Sequence, residues 1–170
     1  MKLMILGYAR HGKDTVAEIL ARDFKMKFKS SSFFALERVM VPYFASKGIM
    51  YPSPEACYAD RVNHRQEWHE EIKRYNENDR ARLARELYSE ADVYVGIRCK
   101  MELAAIEAEK LFDYSIWVDR SGHQLAESTE SCTVNPSMAN YILDNKGTLD
   151  QLVTRTRNLY WDLVSLETNF

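Results

Sequence analysis

The sequence contains few cysteines and no long hydrophobic run. Its three cysteines, Cys57, Cys99 and Cys132, are an odd number and lie far apart along the chain. This excludes the disulfide framework of small secreted domains and predicts a reducing, cytoplasmic compartment. The cysteines and the four histidines show no zinc-ligand spacing. No apolar stretch approaches the ~20 residues that cross a bilayer, so we expect no membrane partner.

The chain also has little net charge of either sign. Its 23 basic and 25 acidic residues give a formal net charge of −2 at pH 7. Proteins that bind nucleic acid mainly through its phosphates are usually basic, so an anion-binding surface here must be a local cluster. The length of 170 residues and the hydrophobic fraction of 46% predict a single domain over residues 1–170 with a sizeable core.

Glycine is scarce, with six residues, and two of the six bracket the stretch GYARHGKDT near the start. Gly7 and Gly12 follow the apolar run 3–6 and precede a segment with helical spacing. Strand, glycine-bounded loop and helix is the context of a phosphate-binding P-loop. Its backbone N–H groups converge on an anion, and Lys13 adds a mobile point charge. We predict that this loop, with Arg10, binds the donor nucleotide.

The two residues after the lysine depart from the usual P-loop pattern. That pattern places Ser or Thr directly after the lysine as a magnesium ligand. Here Asp14 occupies that position and Thr15 follows. A carboxylate could bind Mg²⁺ directly or through water, and the threonine hydroxyl could bind a phosphate or the metal. The sequence predicts a metal site at Asp14 and Thr15 and leaves open which of them contacts Mg²⁺.

Five short apolar segments alternate with helical patterns along the chain. The predicted strands lie at about 2–7, 27–30, 92–97, 113–119 and 140–144. This alternation predicts an α/β fold of three layers with a five-stranded, mainly parallel sheet. Residues 55–90 are charged and helical in pattern, which indicates a substrate-binding insertion. Residues 120–139 lack periodicity, as is typical of a lid-like loop.

Ligands of open α/β sheets bind outside the carboxyl ends of the strands. Arg98 follows the predicted strand at 92–97, and its guanidinium suits a phosphate group. Ser31 and Ser32 follow the strand at 27–30. We therefore expect these three residues on the acceptor side of the P-loop crevice.

A second polar group lies in the insertion. Arg61, His64 and Arg65 have the spacing i, i+3 and i+4, which predicts a shared face of one helix. Asp60 precedes them directly. We predict that the three basic residues contribute to acceptor binding and that the carboxylate serves the chemistry if the acceptor is a hydroxyl.

Four segments of the sequence resemble the phage-type deoxynucleoside monophosphate kinases: GYARHGKDTVAEIL, DVYVGIRCKMELAAI, IWVDRSG and YILDNKGTLDQL. The similarity covers nearly the whole chain. It implies a P-loop kinase of deoxynucleotide metabolism, located in the host cytoplasm if phage-encoded, with ATP as donor and Mg²⁺ as helper ion. It also implies donor-phosphate contacts from the loop, acceptor-phosphate binding by Arg98, and a position near the donor base or lid for Arg120. A homodimer is left open.

Three functions are compatible with these patterns. The first is transfer from ATP to a deoxynucleoside monophosphate, whose ionised oxygen needs no general base. The second is transfer to a hydroxymethyl group of a modified pyrimidine in DNA, for which Asp60 or Glu37 would be the candidate base. The third is an ATP-binding regulatory module without an acceptor. The balance of charge favours the nucleotide over DNA as acceptor.

Overall fold

All five predicted strands form one sheet in the computed structural model, which describes residues 1–128 and 132–168. The strand order is β2-β3-β1-β4-β5, and all four pairings are parallel. The predicted α/β fold with a parallel sheet is therefore confirmed. The strands are β1 Leu3–Leu6, β2 Phe28–Ser30, β3 Val93–Val95, β4 Tyr114–Asp119 and β5 Tyr141–Asp144.

Helices connect the strands, and most of the helical residues between β2 and β3 belong to short elements. One of these is a π-helical turn, Leu36–Met40, and another is a 3₁₀ turn, Asp60–Val62; a second 3₁₀ turn, Pro136–Met138, lies between β4 and β5. The α-helices are α1 Lys13–Phe24, α2 Ser31–Ala35, α3 Val41–Ser46, α4 Pro54–Ala59, α5 Arg65–Tyr75, α6 Arg82–Tyr88, α7 Lys100–Ala108 and α8 Leu149–Thr168.

The central strand β1 is buried on both faces, as expected for a parallel sheet covered by helices. Its side chains alternate between two separate cores. Leu3 and Ile5 pack with apolar residues of α1 and α8. Met4 and Leu6 pack with apolar residues of α2, α5, α6 and α7. The molecule thus has three layers, and the carboxyl ends of the strands are held at one edge.

The insertion departs from the sequence prediction at its centre. The helical pattern of residues 55–90 is interrupted, because a 3₁₀ turn follows α4 and α5 begins only at Arg65. Asp60 accepts a hydrogen bond from the Asn63 side chain at 2.6 Å, a local bond that competes with helix continuation. The prediction that Arg61, His64 and Arg65 share one helical face was therefore wrong.

The segment 120–139, predicted as a lid-like loop, is partly packed against the core. Cys132 and Val134 are 4% and 1% exposed, and a 3₁₀ turn follows at Pro136–Met138. Residues 129–131 of this segment lie outside the described residues, so its role as a lid stays a prediction. Among the helices described, none is long and apolar enough to cross a bilayer.

Candidate active site

Four connections meet at the carboxyl edge of the sheet. The loop 7–12 follows β1, residues 96–98 follow β3, Arg120 follows β4 and Asn145 follows β5. β1 lies between β3 and β4, so the P-loop is flanked on both sides by connections from other strands. This is the position at which open α/β sheets bind ligands.

The loop backbone has a conformation that requires glycine at both ends. Gly7 and Gly12 have φ angles of +145° and +94°. A Cβ atom on Gly7 would lie 2.8 Å from the Val118 carbonyl oxygen, and one on Gly12 would lie 2.4 Å from Asn145 Nδ2. Arg10, at φ +61°, adopts the left-handed conformation between them. The sequence prediction of a glycine-bounded turn thus has a steric basis in the neighbouring strands.

Lys13 is the first residue of α1, and its side chain folds back over the loop. Its ammonium group donates to the Tyr8 carbonyl oxygen at 2.7 Å. Burial and the neighbouring Arg98 guanidinium lower the pKa of this lysine, while Asp14 and Glu127 act in the opposite direction. Two cationic side chains, from the P-loop and from the segment after β3, therefore lie close enough to act on one another.

A cavity of about 530 Å³ opens beside the loop. It brings together six of the seven residues predicted to bind the donor, leaving out Gly7. The start of α8 supplies the opposite wall. The lining residues are Arg10, Gly12, Lys13, Asp14, Thr15, Arg120, Asn145, Gly147, Thr148, Leu149 and Leu152.

The donor set of this cavity fits a magnesium–nucleotide complex. Asp14 and Thr15 both line it beside Lys13, and they offer the hard oxygen ligands that Mg²⁺ prefers. Magnesium is usually held by one or two such ligands together with phosphate oxygens. Among the described residues, no group of three or more His, Cys, Asp or Glu side chains is placed to hold a metal ion.

Asn145 and His11, which the sequence did not single out, connect the P-loop to the neighbouring strand ends. The side chain of Asn145, 3% exposed, donates to the His11 carbonyl oxygen at 2.9 Å. His11 Nδ1 in turn accepts the Arg120 backbone N–H at 3.1 Å. The loop is thereby linked to the connections after β4 and β5. The only signal in the sequence was a polar residue directly after the last strand.

Glu127 is a third residue that the sequence did not reveal. One carboxylate oxygen accepts the Ala9 backbone N–H at 2.7 Å, and the other accepts a hydrogen bond from Arg98 Nη1. Arg98 is therefore brought to the P-loop, as predicted, but through a carboxylate. Glu127 lies in a segment without periodicity, where no pattern distinguishes it from other surface glutamates.

The residues predicted on the acceptor side lie after β2 and along the insertion. Ser31 Oγ donates to the Gly96 carbonyl oxygen at 3.3 Å. Ser32 Oγ and Tyr58 Oη lie within hydrogen-bond distance at 3.1 Å. The Arg61 guanidinium lies 4.9 Å from the Tyr58 ring centroid and 5.8 Å from that of Trp68. Ser32 and Arg61 thus contact the aromatic side chains of Tyr58 and Trp68, whereas Ser31 bonds to the segment after β3.

Asp60 and His64 interact mainly with each other and with their neighbours. The Asp60 carboxylate accepts hydrogen bonds from Tyr51 Oη and Asn63 Nδ2, each at 2.6 Å, and lies 3.1 Å from His64 Nε2. The bond from Tyr51, followed by that from Asn63, lowers the pKa of Asp60. Arg65 is exposed at the start of α5. The structure does not bring Arg65 to the other acceptor-side residues by any contact that it shows.

The whole chain can be superposed on solved kinases of known fold. The sequence matches no protein-family model and no curated protein significantly. A shikimate kinase from Aquifex aeolicus matches with a TM-score of 0.55 and 15% identity, over 99% of this chain and 98% of that one. A shikimate kinase from Bacteroides thetaiotaomicron matches with a TM-score of 0.58 and 12% identity, over 96% and 98%. The fold is that of the P-loop kinases.

Substitution of Gly12 by alanine tests the steric requirement of this P-loop. We expect Gly12→Ala to lose nucleotide binding and to lower the free energy of unfolding by roughly 2–4 kcal/mol. Two costs add up: the positive φ of a residue with a side chain, and the displacement of the backbone or of Asn145. Binding is measured by calorimetry with ATP and magnesium, and stability by denaturant unfolding.

Gly48→Ala is the matched control for this experiment. Gly48 also has a positive φ, +78°, but a Cβ there would meet nothing within 4 Å. The control should show only the conformational cost, roughly 1 kcal/mol, and keep nucleotide binding. Equal effects of the two substitutions would contradict the argument that contact with Asn145 shapes the loop.

Proposed function

We propose that this protein is an ATP-dependent phosphotransferase that phosphorylates a deoxynucleoside monophosphate to the diphosphate, with Mg²⁺. The observation that carries the proposal is the Glu127 carboxylate, which is bound at once by the Ala9 N–H of the P-loop and by Arg98. A donor-loop amide and an arginine from the segment after β3 thus reach the same anionic group. This is the arrangement that phosphoryl transfer needs, because catalysis there is mainly positioning and charge neutralisation.

The residues of the chain divide this task between donor and acceptor. The loop amides and Lys13 hold the phosphates of the donor. Asp14 or Thr15 would hold Mg²⁺, which would neutralise charge on the donor phosphates. Arg98 holds the acceptor phosphate. The acceptor oxygen of a monophosphate is ionised near pH 7, so no residue has to remove a proton.

The contacts of the insertion support a nucleotide rather than DNA as acceptor. A DNA-binding face needs basic side chains free to reach phosphates. Arg85 instead pairs with Asp79 and Glu109 at 2.8 and 2.6 Å. Arg82 pairs with Glu86 at 3.3 Å, and Arg74 pairs with Glu71 at 2.6 Å. Residues 55–90 also contain nine Asp or Glu and seven Arg or Lys, so the insertion has no net positive charge with which to hold DNA.

Asp60→Asn separates the two acceptor classes. Because the Asp60 carboxylate is already occupied by Tyr51 and Asn63, we expect the substitution to change the transfer rate by less than about threefold and to lower stability by about 1 kcal/mol. Steady-state kinetics and thermal unfolding check this. A rate loss of about 10²-fold or more with acceptor affinity kept would indicate a general base and favour a hydroxyl acceptor.

The function itself is tested with labelled ATP and a panel of acceptors. Deoxynucleoside monophosphates with normal and modified bases are compared with DNA that contains hydroxymethylated pyrimidines. We expect transfer to at least one free monophosphate. Transfer to DNA alone would support the second function, and tight ATP binding without transfer to either would support a regulatory module.

A further inference from the structure

Glu127 occupies a position that a phosphate needs. Its carboxylate bridges the Ala9 N–H and the Arg98 guanidinium, and it acts electrostatically on Lys13. These are a loop amide, an arginine and the P-loop lysine, three groups that bind phosphate oxygens. The side chain is only 16% exposed. The Glu127 side chain is therefore largely covered where it meets the loop amide and the arginine.

Backbone hydrogen bonds connect the segment after β3 with the segment that follows Glu127. The Arg98 carbonyl oxygen accepts the N–H groups of Thr133 and Val134 at 2.8 and 3.3 Å, and Cys132 N–H donates to the Ser128 carbonyl oxygen at 3.0 Å. The segment that carries Glu127 is thus attached next to the arginine with which the carboxylate pairs. Glu127 itself is held by its two carboxylate contacts, to Ala9 N–H and to Arg98, and it precedes Ser128, whose carbonyl oxygen accepts the Cys132 N–H.

Both oxygens of Glu127 are engaged by groups that bind anions. A general base needs a carboxylate oxygen directed at an acceptor hydroxyl, and here each oxygen already faces a phosphate-binding donor. Two anions at one site repel each other strongly. A phosphate that reaches Ala9 N–H must therefore displace the carboxylate.

We propose that Glu127 is an internal competitor of the donor's terminal phosphate, which holds the anion site closed to other anions and keeps Arg98 occupied until ATP displaces it. This inference rests on the proposed function. In the resting protein the carboxylate compensates the clustered positive charge of Lys13 and Arg98. When a triphosphate binds, its terminal phosphate takes the place of the Glu127 carboxylate as the negative charge at this site, and Arg98 is released for the acceptor.

The experiment measures nucleotide binding by calorimetry to the full chain and to Glu127→Gln, with ATP and ADP as probes. Glutamine keeps an oxygen that can accept a hydrogen bond but removes the charge. We expect Glu127→Gln to bind ATP about tenfold more tightly than the unsubstituted chain, the effect of exchanging a charged for a neutral competitor. ADP lacks the terminal phosphate, so its affinity should change by less than about twofold.

Glu107→Gln is the matched control, because this glutamate is exposed on α7 and its substitution removes the same charge. It should leave both affinities unchanged. Glu127→Ala is measured in parallel and should also bind ATP more tightly, and thermal unfolding of each variant verifies that it is folded.

The outcomes separate this inference from the proposed function. Unchanged ATP affinity in both Glu127 variants, with transfer retained, would overturn the competitor role and leave the kinase proposal intact. Unchanged affinity with a large loss of transfer rate would assign the carboxylate to the acceptor and also overturn it. Absence of ATP binding in every variant and in the unsubstituted chain would reject the kinase proposal together with this inference.

Discussion

Lys13→Ala should lower the rate of phosphoryl transfer by roughly 10³-fold, since one charged group aimed at the transferred phosphate contributes about this much. In the resting structure the ammonium group is held over the loop by the Tyr8 carbonyl oxygen. Gly7, Gly12 and Asn145 still shape the loop when this one hydrogen bond is lost, so the fold should persist. Transfer is measured with saturating ATP, and the fold by circular dichroism and thermal unfolding.

Lys73→Ala is the control for the lysine substitution. Lys73 is an exposed residue of α5, and its removal should leave transfer within about twofold of the original rate. Lys13→Met provides a second variant that keeps the side-chain length without the charge. If Lys13→Ala and Lys13→Met retained substantial transfer while folded, the stretch 7–15 would not be the donor phosphate site.

Arg98→Ala is expected to lower kcat/KM for the acceptor by about 10²- to 10³-fold, with a much smaller effect on ATP binding. The reason is its position after β3, across the anion site from the P-loop amide of Ala9. The arginine is half-exposed at 49%, so its removal leaves no buried unpaired group apart from the Glu127 carboxylate. Acceptor saturation curves and ATP calorimetry separate the two effects.

Arg98→Lys and Arg157→Ala complete this experiment. Lysine keeps the charge but loses the bidentate geometry, so partial activity is expected. Arg157 pairs with Asp23 at 2.8 Å on α8 and α1, and its substitution tests the loss of an arginine ion pair elsewhere. Equal changes in ATP affinity and acceptor use, or no change in either, would assign Arg98 a structural role.

The P-loop could be predicted from the sequence because its chemistry is local. Two glycines, a lysine and the transition from an apolar strand to a helix lie within a few residues of each other, and backbone sterics make that pattern specific. Arg98 could be placed at the same edge because the carboxyl ends of parallel strands meet there. The P-loop and the position of Arg98 both follow from the spacing of residues along the chain.

In the insertion, helical spacing did not predict the local structure. Spacing placed Arg61, His64 and Arg65 on one helical face, but side-chain hydrogen bonds to Asp60 from Tyr51 and Asn63 accompany a break in the helix. Tyr51 lies nine positions before Asp60, so the spacing of residues on one helical face could not predict this contact. Periodicity describes the repeat of a regular element and contains no information about a tertiary contact that interrupts it.

The sequence by itself predicted the alternation of strands and helices along the chain, the glycine-bounded loop between β1 and α1, and the position of Arg98 after a strand at the carboxyl edge of the sheet. Only the tertiary structure decided that Asn145 donates a hydrogen bond to the loop and that Arg61 packs against the rings of Tyr58 and Trp68. It also decided that Glu127 bridges the Ala9 N–H and Arg98. The physical reason is the range of the interactions. Local sterics and hydrophobic periodicity act between near neighbours, whereas the Glu127 carboxylate and the Ala9 N–H, 118 residues apart in sequence, meet only once the whole sheet has formed.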